Sequence, residues 1–116
     1  MTEDQIKFIL QHRTVILASA DKTSRPRAIF VEVNKADKEE IVITDNEMKI
    51  TKENILANNR AFLLAYDSDF SRLINIIGTV RYFSSGPYFE LAKNLPENKD
   101  YSPKGVLVIQ VERAEE

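Results

Sequence analysis

Ile41-Val42-Ile43-Thr44-Asp45-Asn46-Glu47-Met48-Lys49-Ile50-Thr51-Lys52-Glu53-Asn54-Ile55 is the stretch on which the reading of this chain turns. Its first four residues form a β-branched run that predicts a strand, and the polar trio Asp45, Asn46 and Glu47 leads into a helix predicted from Met48 to about Asn58. A strand feeding a helix N-terminus is an anion-binding geometry. The first backbone N–H groups of the helix have no internal partner, and its dipole leaves partial positive charge there. Lys49 adds a cation and Thr51 a hydroxyl at that end. The same pattern also serves a plain helix cap made by Thr44, Asp45 or Asn46, so spacing alone leaves both readings open.

Working outward, Thr2 followed by Gln5 has the form of a capping box, with Ile6, Ile9 and Leu10 on one face of a helix ending near His12 or Arg13. Thr14–Ala20 reads as a strand, the polar residues Asp21 to Ser24 as a hairpin turn, and Pro26–Asn34 as a second strand. In that strand Arg27, Ile29, Val31 and Val33 alternate with Ala28, Phe30 and Glu32. A charged turn, Lys35 to Glu39, precedes Ile41. Beyond the helix, whose stripe is Met48, Ile55 and Thr51 or Leu56, the nearly continuous apolar strand Arg60–Tyr66 predicts burial on both faces. Leu73–Phe83 is the longest strand, and Gly78 within it predicts a bulge or a close approach. Ser84 and Ser85 are expected to cap a helix opening at Gly86 and Pro87 and packing through Phe89, Leu91 and Ala92. A loop over Leu95 to Pro103 and a last strand over Gly105 to Val111 complete the chain. Six strands and three short helices joined by short turns predict a mainly β fold, a small β-barrel with peripheral helices, as one domain over 1–116.

Composition narrows the function. With 16 basic against 18 acidic residues the chain lacks the concentrated positive field of a nucleic-acid binder, and no apolar run is long enough to span a membrane. The absence of cysteine removes disulfides, thiolate metal sites and cysteine nucleophiles, while a single histidine, His12, leaves no metal cluster at ligand spacing. The acidic opening Met1-Thr2-Glu3-Asp4 is unlike a secretory signal, which makes the cytoplasm the expected compartment. A chain of 116 residues with several apolar strands is expected to leave a barrel face that a second copy covers.

Four blocks taken in order resemble the flavin-binding split-barrel family, the fold of pyridoxamine 5′-phosphate oxidases and of small FMN-binding proteins. They are the first helix with Val15 to Ala20 and the turn to Pro26; Thr44 to Ile55 with Met48, Thr51 and Asn54; Arg60 to Leu64; and, most specific, Ser85-Gly86-Pro87-Tyr88-Phe89-Glu90 after a glycine-bearing strand. The resemblance covers nearly the whole chain. It implies a six-stranded split barrel, a homodimer, and FMN in clefts between the subunits.

Carried onto this sequence, the resemblance places the cofactor-binding positions at Phe30, Val31, Thr44, Asp45, Asn46, Lys49, Ile50 and Thr51. Thr51 is the expected phosphate contact or else bonds back to its own helix; Lys49 is the cation or a surface lysine; the backbone of Thr44, Asp45 and Asn46 follows the isoalloxazine edge or only turns the chain. Phe30 lies against the ring or joins the core, and Arg81 and Tyr82 face the cleft of a partner or are solvated. The chain departs from the pattern at Met48-Lys49-Ile50-Thr51, where small flavin-binding relatives carry Met-x-Lys-Thr, and Lys49 or Arg27 is left to supply the missing charge. No side chain stands out as a catalytic acid, base or nucleophile, and no residue as a metal ligand. That fits a flavoprotein whose cofactor supplies the reactivity, and a non-enzyme equally. No basic extension of the kind that grips pyridoxamine phosphate is seen before Glu116, so the expectation is a generic FMN-dependent oxidoreductase or electron carrier acting on a small molecule. The alternative is a split-barrel dimer whose degenerate flavin site takes another small ligand or none.

Overall fold

A computed structural model describes residues 1–116. The elements are α1 (Glu3–Gln11), β1 (Thr14–Ala20), β2 (Pro26–Ala36), β3 (Glu40–Asp45), α2 (Lys49–Ala57), β4 (Arg60–Tyr66), β5 (Leu73–Phe83), α3 (Pro87–Lys93) and β6 (Gly105–Glu115). All strand pairs are antiparallel, and the order β1-β2-β3-β6-β5-β4 closes into a barrel through β4 against β1. Closure leaves no strand of the sheet with one whole side unpaired, which limits the free edges that would otherwise invite foreign strands.

Inward-facing residues alternate along each strand and fill the barrel. Leu17, Ile41, Ile43, Leu63, Ile74, Ile76, Leu107 and Ile109 are all essentially inaccessible to solvent. Each such aliphatic side chain contributes roughly 1.5–3 kcal/mol of hydrophobic stabilisation. The capping box at Thr2 and Gln5 is present with both of its hydrogen bonds. The face of α1 turned to the core is Gln5, Phe8 and Ile9, whereas the sequence pattern favours Ile6, Ile9 and Leu10. Ile6 and Leu10 are only half-buried.

Burial on both faces belongs to β3 and β6, and the expectation of it for β4 fails. In β4 only Ala61, Leu63 and Ala65 are buried, while Phe62 remains 49% exposed. The physical reason is the placement of α3, which lies on the outside of β3 and β6 and closes a second small core of Val42, Ala92 and Val106. Within α3, Ala92 is the buried position and Leu91 is exposed; the N-cap is Gly86, with no side-chain cap from Ser84 or Ser85. The loop after α3 contains a single 3₁₀ turn, Pro96–Asn98, and β6 continues to Glu115, four residues beyond the predicted end at Val111. β2 likewise runs past Asn34 to Ala36 through a bulge between Val33 and Lys35 that turns both Val33 and Asn34 inward.

Gly78 behaves as its sequence position predicts. The β5–β6 register shifts between Ile77 and Gly78, and a Cβ at residue 78 would collide with the Gln110 carbonyl oxygen and press on Ile109 Cγ2 at 3.0 Å. A backbone oxygen cannot yield as a side chain does. Gly78→Ala is therefore expected to destabilise the fold by about 1–3 kcal/mol, the usual range for overpacking, read as a lower midpoint in urea with an unchanged slope.

Candidate functional site

β2 pairs with β3 only from Val33 to Ala36, while its Pro26–Ala36 span pairs with β1 from Pro26 to Glu32. Over Pro26 to Glu32 there is consequently no strand on the β3 side, and the barrel wall is split there. A cleft of about 410 Å³ occupies the gap, lined by Phe30, Val31 and Glu32 on one side and Thr44, Asn46 and Met48 on the other. Next to it, and sharing Ile29, Glu47 and Met48, a second recess of about 340 Å³ is lined by Arg27, Lys49, Ile50 and Thr51 at the start of α2. Both volumes lie in the roughly 300–1,000 Å³ range of small-molecule sites.

The junction of β3 and α2 is held by Asp45, which is 1% exposed. Met48 N–H, just ahead of the helix, donates to its Oδ1 at 2.7 Å, and the Tyr82 hydroxyl donates to its Oδ2 at 2.5 Å. The N-cap of α2 is Met48, with no side-chain cap, so none of Thr44, Asp45 and Asn46 caps the helix; the Asp45 carboxylate faces the protein and lines neither recess. Tyr82 is placed internally as well: its ring rests where a Cβ of residue 105 would be, so only glycine fits there. Burial, followed by the bond to Asp45, pushes the Tyr82 hydroxyl well above its ordinary pKa. Arg81 is exposed and stacks on Phe83 and Tyr88. Asn54 Nδ2 donates to Ser19 Oγ at 3.1 Å and ties the middle of α2 to β1.

Of the predicted site residues, Phe30, Val31, Thr44 and Asn46 meet in the larger cleft and Lys49, Ile50 and Thr51 in the smaller recess. Phe30 is 69% exposed and so is not core. Thr51 is 1% exposed, yet its hydroxyl has no hydrogen-bonding partner in the protein and does not bond back to its helix. Lys49 and Arg27 form no ion pair, leaving two free cations beside that hydroxyl. Asn46 Oδ1 is buried without a partner.

The far end of the larger cleft carries residues that the sequence reading passed over. Asn34, buried by the β2 bulge, accepts from Thr44 N–H and Oγ1 at 2.9 and 2.7 Å and donates to Glu97 at 3.1 Å. Asn98 donates to Thr44 Oγ1 at 3.0 Å and to the Ala92 carbonyl at 2.7 Å. The Glu97 carboxyl is held below its ordinary pKa by its own backbone N–H and then by the Asn34 amide. No signal short of the bulge itself marks Asn34 as inward-facing. Glu32 and Glu97 belong to the larger cleft alone, whereas the α2 recess holds two cations, Arg27 and Lys49, against one carboxylate, Glu47, which the two share. The single histidine lies elsewhere, with its ring 4.7 Å from that of Phe8.

The pyridoxamine 5′-phosphate oxidase family model matches residues 1–116. The chain belongs to this family. Among its relatives is an uncharacterized protein of Methanocaldococcus jannaschii, 29% identical over an alignment of 116 positions that covers 96% of this chain and 76% of the relative. The crystal structure of HupZ from Group A Streptococcus superposes with a TM-score of 0.88 at 23% identity, covering 98% of this chain and 92% of HupZ. An FMN-binding protein from Syntrophomonas wolfei shares the fold at a TM-score of 0.74 and 13% identity, covering 95% of this chain and 81% of its own. The barrel, its split and its helices are thus those of the family.

Because the Tyr82 hydroxyl is raised in the folded chain, its contribution is full below about pH 10, the unfolded tyrosine value, and is lost as the pH climbs towards the folded one. Tyr82→Phe is expected to lower stability at neutral pH by about 1–3 kcal/mol, since Asp45 Oδ2 is left buried and unpaired. It should also flatten the loss of stability above pH 10. Denaturation midpoints of both proteins between pH 7 and 11 check this.

Proposed function

We propose that this protein is a homodimeric FMN-binding flavoprotein, serving as an oxidoreductase or electron carrier for a small-molecule substrate. The observation that carries the reading is the recess at the start of α2, where the unpartnered Thr51 hydroxyl and the unpaired Lys49 and Arg27 cations surround the free amides of a helix N-terminus. This donor set suits a terminal phosphate, whose oxygens accept only. Charge-assisted hydrogen bonds from a cation are roughly twice as strong as neutral ones. Arg27 answers the departure at Ile50: from β2 it brings a guanidinium to the recess in which Ile50 has only methyl groups to offer.

The larger cleft suits the remainder of such a molecule. Asn46 Oδ1 and the Glu32 and Glu47 carboxylates are acceptors for hydroxyls or a ring N–H, and Phe30 and Met48 supply apolar surface. When bound, the flavin supplies hydride or single-electron chemistry, which no side chain here provides. The protein's own part is to hold the phosphate at Arg27, Lys49 and Thr51 and to keep the β3–α2 junction fixed through Asp45. The fold shared with an FMN-binding protein supports this reading.

Dimerisation rests on the outer surface of β2, β1 and β4. Cross-strand partners Phe30, Ile16 and Leu64 form one row and Ala28, Ala18 and Phe62 the next, extended by Ile77 on β5. No helix of the chain covers these rows as α3 covers β3 and β6. The patch includes Phe30, so a second copy seated on it would border the cleft.

Titration with FMN, following flavin fluorescence, is expected to saturate in the micromolar range, and Ile50→Lys is expected to tighten binding about tenfold by adding a cation at the phosphate. Absence of saturation at hundreds of micromolar would leave the degenerate-site alternative, a split barrel taking another small ligand or none. Separately, light scattering is expected to give twice the 13.3 kDa chain mass for the native protein and a single chain mass for Phe62→Lys; a native monomer removes the dimer.

A further inference from the structure

We infer that Tyr101 forms an aromatic wall of the larger cleft and stacks on the flat ring of its ligand, an inference that rests on the flavin reading above. Of the exposed aromatic side chains, Phe62 lies on the outer sheet face and Phe70 in the β4–β5 turn; the other two, Phe30 at 69% and Tyr101 at 61% exposure, line the same cleft. They come from elements far apart in sequence, β2 and the loop before β6. Two largely solvated rings bordering one cavity offer planar apolar surface to whatever enters it.

The loop that bears Tyr101 is anchored on both sides. On one side Asn98 donates to Thr44 Oγ1 and to the Ala92 carbonyl, and Glu97 accepts from Asn34. On the other, Lys104 N–H donates to the Asp45 carbonyl at 2.8 Å. Both anchors grip the residues that form the floor of the cleft and the start of α2. Tyr101 N–H donates to the Asn98 carbonyl at 3.0 Å, so its backbone is fixed, while its side chain has no hydrogen-bonding partner. The Tyr82 and Tyr88 hydroxyls, by contrast, are each committed to a carboxylate.

Charge sets the direction of the ligand. The cations Arg27 and Lys49 stand in the recess at α2, and Tyr101 stands at the end carrying Glu97 and Asn98. An anionic tail is drawn to the first and repelled from the second, which leaves the ring of a flavin for Phe30 and Tyr101.

Equilibrium dialysis of wild type, Tyr101→Ala and Tyr101→Phe against FMN and against riboflavin, which has the ring without the phosphate, tests the assignment. Tyr101→Ala is expected to weaken both ligands by the same factor, about tenfold for a lost stacking partner, with an unchanged melting temperature because the side chain is exposed. Tyr101→Phe is expected to bind as wild type does. Unchanged affinity for both ligands in Tyr101→Ala, or a loss confined to FMN, overturns the inference while leaving the flavin reading in place. A wild type that binds neither ligand overturns both.

Discussion

The carboxylate of Asp45 is the interaction on which the arrangement of the split depends. One buried residue accepts the Met48 N–H where the chain enters α2, accepts the Tyr82 hydroxyl from β5, and through its backbone carbonyl receives Lys104 N–H just before β6. Three elements are thereby fixed to the end of β3. Burying a carboxylate is expensive unless its oxygens are hydrogen-bonded, and here each finds a donor. Gly105 belongs to the same device, since any side chain there would displace the Tyr82 ring. The result is a helix N-terminus held at the mouth of the barrel with its first amides free.

Around that point the chain separates its charges. Arg27 and Lys49 gather at the helix start beside Glu47, which both recesses share, while Glu32 and Glu97 line the neighbouring cleft alone, although the net charge is only −2. A near-neutral total therefore conceals a polar gradient across two adjoining recesses. Such a gradient orients a ligand that is anionic at one end, and it does so before any contact is made. The Asn34–Thr44–Asn98 network is the structural partner of this gradient. It satisfies the polar groups that the β2 bulge buries and joins the loop before β6 to the floor of the cleft.

The distribution of apolar surface follows from where the helices go. α3 covers β3 and β6, α2 packs against β1 and β5, and the outside of β2, β1 and β4 receives nothing. The chain therefore presents a row of β-branched and aromatic side chains beside its cleft. A second copy placed there would bury that row and give the cleft another wall, so assembly and ligand binding would share residues.

The sequence by itself determined the elements: the six strands, the three helices, the hairpin between β1 and β2 and the special role of Gly78 were legible because alternation, caps and turn residues act locally. The four family blocks placed Thr44 to Thr51 at a strand-to-helix junction for the same reason, and all but Asp45 of the eight expected positions line the two recesses. What only the tertiary structure decided is which faces are covered and which groups remain unpartnered. The apolar runs of β3 and β4 look alike in sequence, yet α3 buries one on both sides and leaves Phe62 in the other open. Asn34 enters the core through a bulge, Asp45 turns away from the cleft to Tyr82, and Arg27 meets Thr51 across a gap between elements distant in the chain. Burial and hydrogen bonding between distant segments depend on the packing of whole elements, and a local pattern carries no record of its partner.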